Sequence, residues 1–281
     1  MRAGLVSITF RNLSPAALVE KAVASGLACV EWGGDVHVPH GDLDTARAVG
    51  CLTRTRGLEV SAYGSYYALG ESEQLGLSFT RVLESAVALG APVIRVWAGK
   101  KGSAEADAAY RETVARDALR IADLSQREGV SIAYEFHSGS LTDTASSARA
   151  LLDATAHPAI FTLWQPPNGR TEEECLEGLE LVISRLSHVH AFHWWPDAAH
   201  RLPLAEGAAR WRRYLSFLRS AGKTPDVLLE FVPGDDPGVL RREAETLCGL
   251  LEFSRPSQEH GLPGNGQSQG KNASGFETGS A

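Results

Sequence analysis

Ser131-Ile132-Ala133-Tyr134-Glu135, Ile160-Phe161-Thr162-Leu163-Trp164-Gln165, Val189-His190-Ala191-Phe192-His193 and Val227-Leu228-Leu229-Glu230 are four apolar stretches, each closing on a side chain able to ligate a metal or exchange a proton. They recur at intervals of roughly one strand plus one helix. A carboxylate is costly to bury unless it is paired, hydrogen-bonded or bound to a cation. Such residues at successive strand ends therefore point to one shared site.

Outward from these stretches, short β-rich runs alternate with longer amphipathic segments. Strands are expected at Gly4–Phe10, Ala28–Trp32, Glu59–Tyr63, Val93–Ala98, Val130–Phe136, Ala159–Gln165, Val189–Trp194 and Val227–Val232. Helices are expected at Pro15–Ser25, Asp44–Arg56, Glu71–Leu89, Ala106–Glu128, Asp143–Ala156, Glu172–Arg185, Gly207–Ala221 and Pro237–Phe253. Ser14-Pro15 and Asp236-Pro237 place a cap before a proline at the first helical position, and Gly26, Gly57, Gly90, Gly129 and Gly222 fall where helices should stop. Strict β/α alternation implies a parallel sheet. An open doubly wound sheet shares that alternation, but polar residues gathered at C-terminal strand ends favour an α/β fold of the single (β/α)8 TIM barrel type. The barrel is expected over residues 1–253. Residues 254–281 are rich in Gly, Ser, Gln and Asn with few apolar residues, which predicts a disordered C-terminal tail.

Composition narrows the function classes. A chain of 281 residues with 43% hydrophobic content supports one large core. A formal net charge of −7 supplies no basic stripe to neutralise phosphates, so no nucleic-acid partner is expected. The four cysteines, Cys29, Cys51, Cys175 and Cys248, form no Cys-x-x-Cys pair, which argues against a sulfur-bound zinc or a redox motif and fits reduced thiols in a cytoplasmic protein. Gly4 to Phe10 is too short for a signal sequence, and no stretch approaches the ~20 apolar residues of a membrane span. Asn12-Leu13-Ser14 and Asn272-Ala273-Ser274 match the glycosylation pattern, which carries weight only in a secreted chain.

The side-chain period of a strand places Ala133, Glu135 and His137 on one face, and Leu228 and Glu230 on one face. In a barrel both faces can point inward. His188 and His190 share a strand face and His193 falls on the other; His190 is the favoured ligand, with involvement of His193 left open.

These positions resemble the xylose isomerase-like barrel superfamily of sugar isomerases and epimerases, over about Leu5 to Phe253. The resemblance implies one divalent metal (Mn, Co, Mg, Fe or Zn) held by Glu135, Gln165, His190 and Glu230. Gln165 departs from the family pattern, which has a carboxylate there. An amide oxygen still ligates a hard cation, with one negative charge fewer. The resemblance further implies a metal-dependent isomerase or epimerase of a keto sugar or polyol, working by proton abstraction through an enediolate with Glu135 and Glu230 as the acid/base pair. A lyase or dehydratase would use His137 or His193 to protonate a leaving group.

The first half supplies rim candidates for a small carbohydrate: Trp32, His37, His40, Tyr63, Arg95, Trp97 and Lys100, joined by Asn168 and by Arg201, which resembles a substrate-contacting arginine of related epimerases. Two carboxylates in Pro233-Gly234-Asp235-Asp236-Pro237 would repel a phosphate where such barrels bind one, which favours a non-phosphorylated polyol. Two other classes stay open. One is cleavage of abasic DNA, as in related endonucleases; the other is a non-catalytic carbohydrate-binding barrel. A homo-oligomer is compatible with either.

Overall fold

The computed structural model describes residues 1–253, so the expected tail and its Asn272-Ala273-Ser274 pattern lie outside the described residues. The strands are β1 (Ala3–Val6), β2 (Cys29–Gly33), β3 (Glu59–Ala68), β4 (Val93–Trp97), β5 (Ser131–Tyr134), β6 (Ile160–Trp164), β7 (Leu186–Ala191), β8 (His193–Trp194), β9 (Arg201–Leu202) and β10 (Asp226–Leu229). β8 and β9 form a small antiparallel hairpin, and the other eight close into a barrel in which β10 returns to pair with β1. Every pair in the barrel is parallel, each strand being followed by a helix that covers it. The helices are α1 (Pro15–Ala24), α2 (Leu43–Thr55), α3 (Phe79–Leu89), α4 (Ala108–Arg127), α5 (Ala145–Ala154), α6 (Glu172–Val182), α7 (Ala208–Ser220) and α8 (Leu240–Phe253). The chain is a (β/α)8 barrel.

Local chemistry explains most of the punctuation. Ser14 accepts from the Ala17 N–H ahead of Pro15, and Gly90 ends α3 in the left-handed region at φ 78°. Several expected boundaries move: β3 runs on to Ala68, β7 spans Leu186–Ala191 with His193 and Trp194 passing into the hairpin, α6 stops at Val182, and three other elements change. The first strand stops at Val6, and Ser7–Phe10 forms a 3-10 turn that bends the chain at the barrel mouth. The helix expected from Glu71 begins only at Phe79, because Gly76, at φ 87°, breaks the chain and the Ser72 hydroxyl accepts from the Ala68 N–H. α8 begins at Leu240 rather than Pro237, since the Asp236 carboxylate turns back onto the Gly238 N–H at 2.7 Å and closes a local turn instead of capping the helix.

The strand period separates two apolar regions. Outward-facing Trp32, Tyr134 and Trp164 pack into the large core beneath the helices. Inward-facing Val6, Ile8, Cys29 and Leu228 form a small cluster inside the barrel, against which Tyr66 and Phe231 rest. Gly4 sits on this inner face with no room for a side chain: a Cβ would lie 2.4 Å from Leu228 Cδ2 and 2.7 Å from the Cys29 carbonyl oxygen. Overpacking a filled interior costs about 1–3 kcal/mol. Gly4→Ala is therefore expected to lower the urea midpoint of unfolding by that amount of stability with little change in m-value.

Candidate active site

Three polar residues occupy equivalent places: Glu135, Gln165 and Glu230 each directly follow a barrel strand, β5, β6 and β10. The alternation of β7 turns His188 and His190 inward, that of β4 brings Arg95 into the interior, and that of β2 brings Glu31. Glu31, Arg95, Glu135, His188, His190 and Glu230 are all buried, and they are wired to one another.

Glu31 is the hub. Its Oε2 lies 2.9 Å from His190 Nε2 and 3.1 Å from His188 Nε2, while Oε1 accepts from Arg95 Nε at 2.7 Å. Arg95 Nη1 donates to Glu135 Oε2, which also accepts from Trp97 Nε1 at 2.6 Å. His190 Nδ1 lies 3.3 Å from Glu230 Oε2. A continuous polar network thus crosses the barrel from β2 to β4, β5, β7 and β10. Gly64 of β3 makes the crossing possible, because a Cβ there would stand 2.5 Å from Arg95 Nη2 and 2.8 Å from Glu31 Oε1.

Electrostatics follows from this wiring. Burial by itself would raise the Glu31 carboxyl, but Arg95, His190 and His188 hold it well below the usual carboxylate range. Burial pulls both histidines down. For His188 that effect prevails and its pKa is lowered, whereas Glu230 and Glu31 on either side of His190 push it up to about 10. Burial opposes the Arg95 charge as well, and Glu135 and Glu31 more than offset it.

The donor set fits a divalent cation. Glu135, His190 and Glu230 each offer one ligand atom, all within 4.8 Å of one another. His190 Nδ1 is buried without an aligned hydrogen-bond partner, and so is Gln165 Oε1, because the Gln165 amide nitrogen donates to the Phe136 carbonyl at 2.7 Å and leaves the oxygen unused. His188 differs from His190 in having both nitrogens engaged, with Nδ1 2.8 Å from Ser187 Oγ. Of the inward histidines, His190 therefore has the nitrogen to spare.

The remaining candidates divide between the mouth and the outer layer. Trp97 stacks on His137 with ring centroids 4.7 Å apart, and His137, Gln165 and Asn168 line a cavity of about 310 Å³ beside the cluster. Arg201 pairs with Asp235 at 2.7 Å and lies over the Phe231 ring, 4.4 Å from its centroid. Lys100 is exposed in the loop after β4. Trp32 faces α2, donating its indole N–H to Thr53, and His37 spends both nitrogens on Ser7 and the Leu13 carbonyl. The Tyr63 hydroxyl sits 2.7 Å from His40 Nδ1 in the packing between sheet and loop. His193 also turns outward, against Gly207 at the start of α7. Glu31 was not among the sequence candidates, although a lone charge inside Cys29-Val30-Glu31-Trp32-Gly33 is its signal. Tyr66, which the sequence places at the end of the third strand, and Phe231, which has no such signal, stand at the mouth with φ of 55° and 50°.

A closed parallel barrel with carboxylates and a histidine gathered at its C-terminal strand ends defines a class of proteins, and sequence comparison specifies the family. A profile of xylose isomerase-like TIM barrels matches residues 19–250, and the chain belongs to that family. A search of curated protein sequences finds no match. Among solved structures, the chain is similar to the probable 3-DHS dehydratase AsbF involved in petrobactin synthesis from Bacillus anthracis, at 21% identity and TM-score 0.74 over 88% of this chain and 99% of that one. It is also similar to a xylose isomerase-like TIM barrel protein from Mycobacterium smegmatis in complex with magnesium, at 15% identity and TM-score 0.69 over 90% and 97%. A third similar structure is D-psicose 3-epimerase in the presence of D-fructose, at 15% identity and TM-score 0.66 over 91% and 98%. At these identities the likeness is one of fold. Among the described residues, no helix is long and apolar enough to cross a membrane.

Breaking a buried ion pair from one side leaves an uncompensated charge, at about 3–5 kcal/mol. Arg95→Met strands both Glu31 and Glu135, so chemical denaturation should show a loss at or above that range. Trp97→Phe, which removes a single donor from Glu135, should lose only about 1–3 kcal/mol.

Proposed function

We propose that this chain is a metal-dependent isomerase or epimerase of a non-phosphorylated keto sugar or polyol. The observation that carries the proposal is the convergence of Glu135, Glu230 and the Nδ1 of His190, which makes no aligned hydrogen bond, with Gln165 at the equivalent strand end supplying an unpartnered oxygen. These four residues would hold a divalent ion. Such an ion, when bound, supplies a Lewis acid that withdraws negative charge from a substrate oxygen.

The chain's own residues do the proton work. Glu135 is fixed in orientation by Arg95 and Trp97, both of which donate to Oε2. Glu230 takes no such pair of donors and stands beside His190, so it is the freer carboxylate and the one assigned to remove the proton next to the carbonyl. A proton taken up from solvent by Glu135 and returned to the opposite face inverts the carbon; return of the proton held by Glu230 to the neighbouring carbon, with the hydroxyl proton of that carbon passing to the old carbonyl oxygen, moves the carbonyl. The aromatic pair Trp97 and His137 offers an apolar wall for a sugar face.

A lyase reading draws on one specific feature. His137 lines the cavity beside the cluster and can protonate a departing hydroxyl, whereas His193 turns away from it. The two readings separate by product: an isomerase or epimerase conserves the substrate's formula, and a lyase releases water.

In heavy water, a keto-sugar panel followed by NMR should show solvent deuterium entering the α-carbon, with Glu230→Gln slowing this by about 10²–10⁴-fold. Absence of exchange with every sugar that binds would refute proton abstraction. Elemental analysis should find near-stoichiometric divalent metal in the wild type and less in Glu230→Gln.

Proton linkage gives an independent check. His190 stays protonated up to about pH 10 without a metal and must lose that proton to ligate one. Metal affinity should therefore rise with pH through the neutral range, with close to one proton released per ion in calorimetry across buffers of different ionisation enthalpy. The metal-free protein should behave oppositely: its raised imidazole stabilises the fold most fully below the ordinary value of 6.5, and that contribution fades as pH rises through about 10.

A further inference from the structure

We infer that Glu31 is the positioning carboxylate of the centre, fixing which nitrogen of His190 faces the ligand. The inference rests on the metal reading above and adds a third carboxylate that would orient without ligating. Its basis is geometric. Glu31 is fully buried on β2, and both of its oxygens are engaged: Oε1 by Arg95 Nε at 2.7 Å, Oε2 by His188 Nε2 and His190 Nε2 at 3.1 Å and 2.9 Å. A carboxylate only accepts, and of the two that face His190 only Glu31 is aligned for a hydrogen bond, at 2.9 Å against 3.3 Å for Glu230, so the proton of a neutral His190 is held on Nε2 and the lone pair is left on Nδ1.

That is the nitrogen 3.3 Å from Glu230 Oε2 and without an aligned partner; His190 also groups with Glu31 and His188, but there both carboxylate oxygens and both His188 nitrogens are already engaged. A ring flipped about its Cβ–Cγ bond would set Cε1 against Glu31 and Cδ2 against Glu230, losing the Glu31 hydrogen bond and presenting a carbon where the ligating nitrogen stands. Metal-bound histidines commonly give their second N–H to a carboxylate in this way, which raises ligand basicity as well as setting orientation. Two further contacts keep Glu31 from swinging. Arg95 is itself tied to Glu135, and His188 is tied through Nδ1 to Ser187. Gly64 leaves the space in which the Arg95 guanidinium and the Glu31 carboxylate meet.

The direct test needs no variant. Long-range ¹H–¹⁵N correlation spectra of the full chain loaded with Zn²⁺ should show His190 coordinated through Nδ1 and protonated at Nε2, with the Nε2 proton protected from exchange. Coordination through Nε2 would overturn the inference. The second test compares Zn²⁺ affinity of the wild type with Glu31→Gln, which keeps the shape of the side chain. A 10–100-fold loss is expected for such an orienting partner, alongside loss of the protected Nε2 proton. An affinity within twofold of the wild type would overturn the inference while leaving the metal centre standing. Failure of the wild type itself to bind any divalent ion would instead sink the metal reading, and this inference with it. If Glu31→Gln does not fold, the wild-type spectrum decides.

Discussion

One buried carboxylate organises the interior of this barrel. Glu31 sits on β2 with no access to water, where an unpaired charge would cost several kcal/mol. It is tolerable only because three donors from two other strands meet it. Each donor is itself a buried polar group that needs an acceptor, so the parts satisfy one another or fail together. The network also ties strands that are not neighbours in the sheet. β2 reaches across the interior to β4 and β7, which the parallel ladder alone would not connect.

The same network sets the charge of the centre. Arg95 places a fixed cation against Glu135, and Gln165, an uncharged amide, stands at the strand end equivalent to those of Glu135 and Glu230. Both features make the centre less negative than three free carboxylates and a histidine would be. A dication bound as proposed would meet one carboxylate already shared with a guanidinium and a second, Glu230, shared only with an imidazole. The proton on His190 would then be the charge most directly exchanged, linking occupancy of the proposed centre to pH more tightly than in a set made only of carboxylates.

Much of the architecture is legible in the sequence because periodicity reports on both faces of a strand. The run Ile132-Ala133-Tyr134-Glu135 separates Tyr134, which reaches Thr155 in the helix layer, from Glu135, which reaches Arg95 inside. Helix starts are less legible where a side chain has two uses. Asp236 reads as a cap for Pro237 but folds back on Gly238, and Ser72 binds Ala68 where a helix was expected. The rim is the least legible part. Trp32 and Trp97 look alike as aromatics near strand ends, yet they fall on opposite faces, one bonded to Thr53 and the other to Glu135. Glu31 was passed over for a related reason: it lies in the middle of a strand, and its partners come from segments 64 to 159 residues away. No short-range pattern records such a contact.

Tyr66 and Phe231 carry a different consequence. Both hold left-handed backbone that a glycine would adopt freely, at a cost of order 1–3 kcal/mol apiece, and both rings rest on the Val6, Ile8, Cys29 and Leu228 cluster, with Arg95 over one and Arg201 over the other. Glycine at either place would relax the chain and remove the ring. Each ring is therefore clasped, with the apolar cluster of the barrel interior on one side and a guanidinium on the other, and the strained backbone is what holds it there.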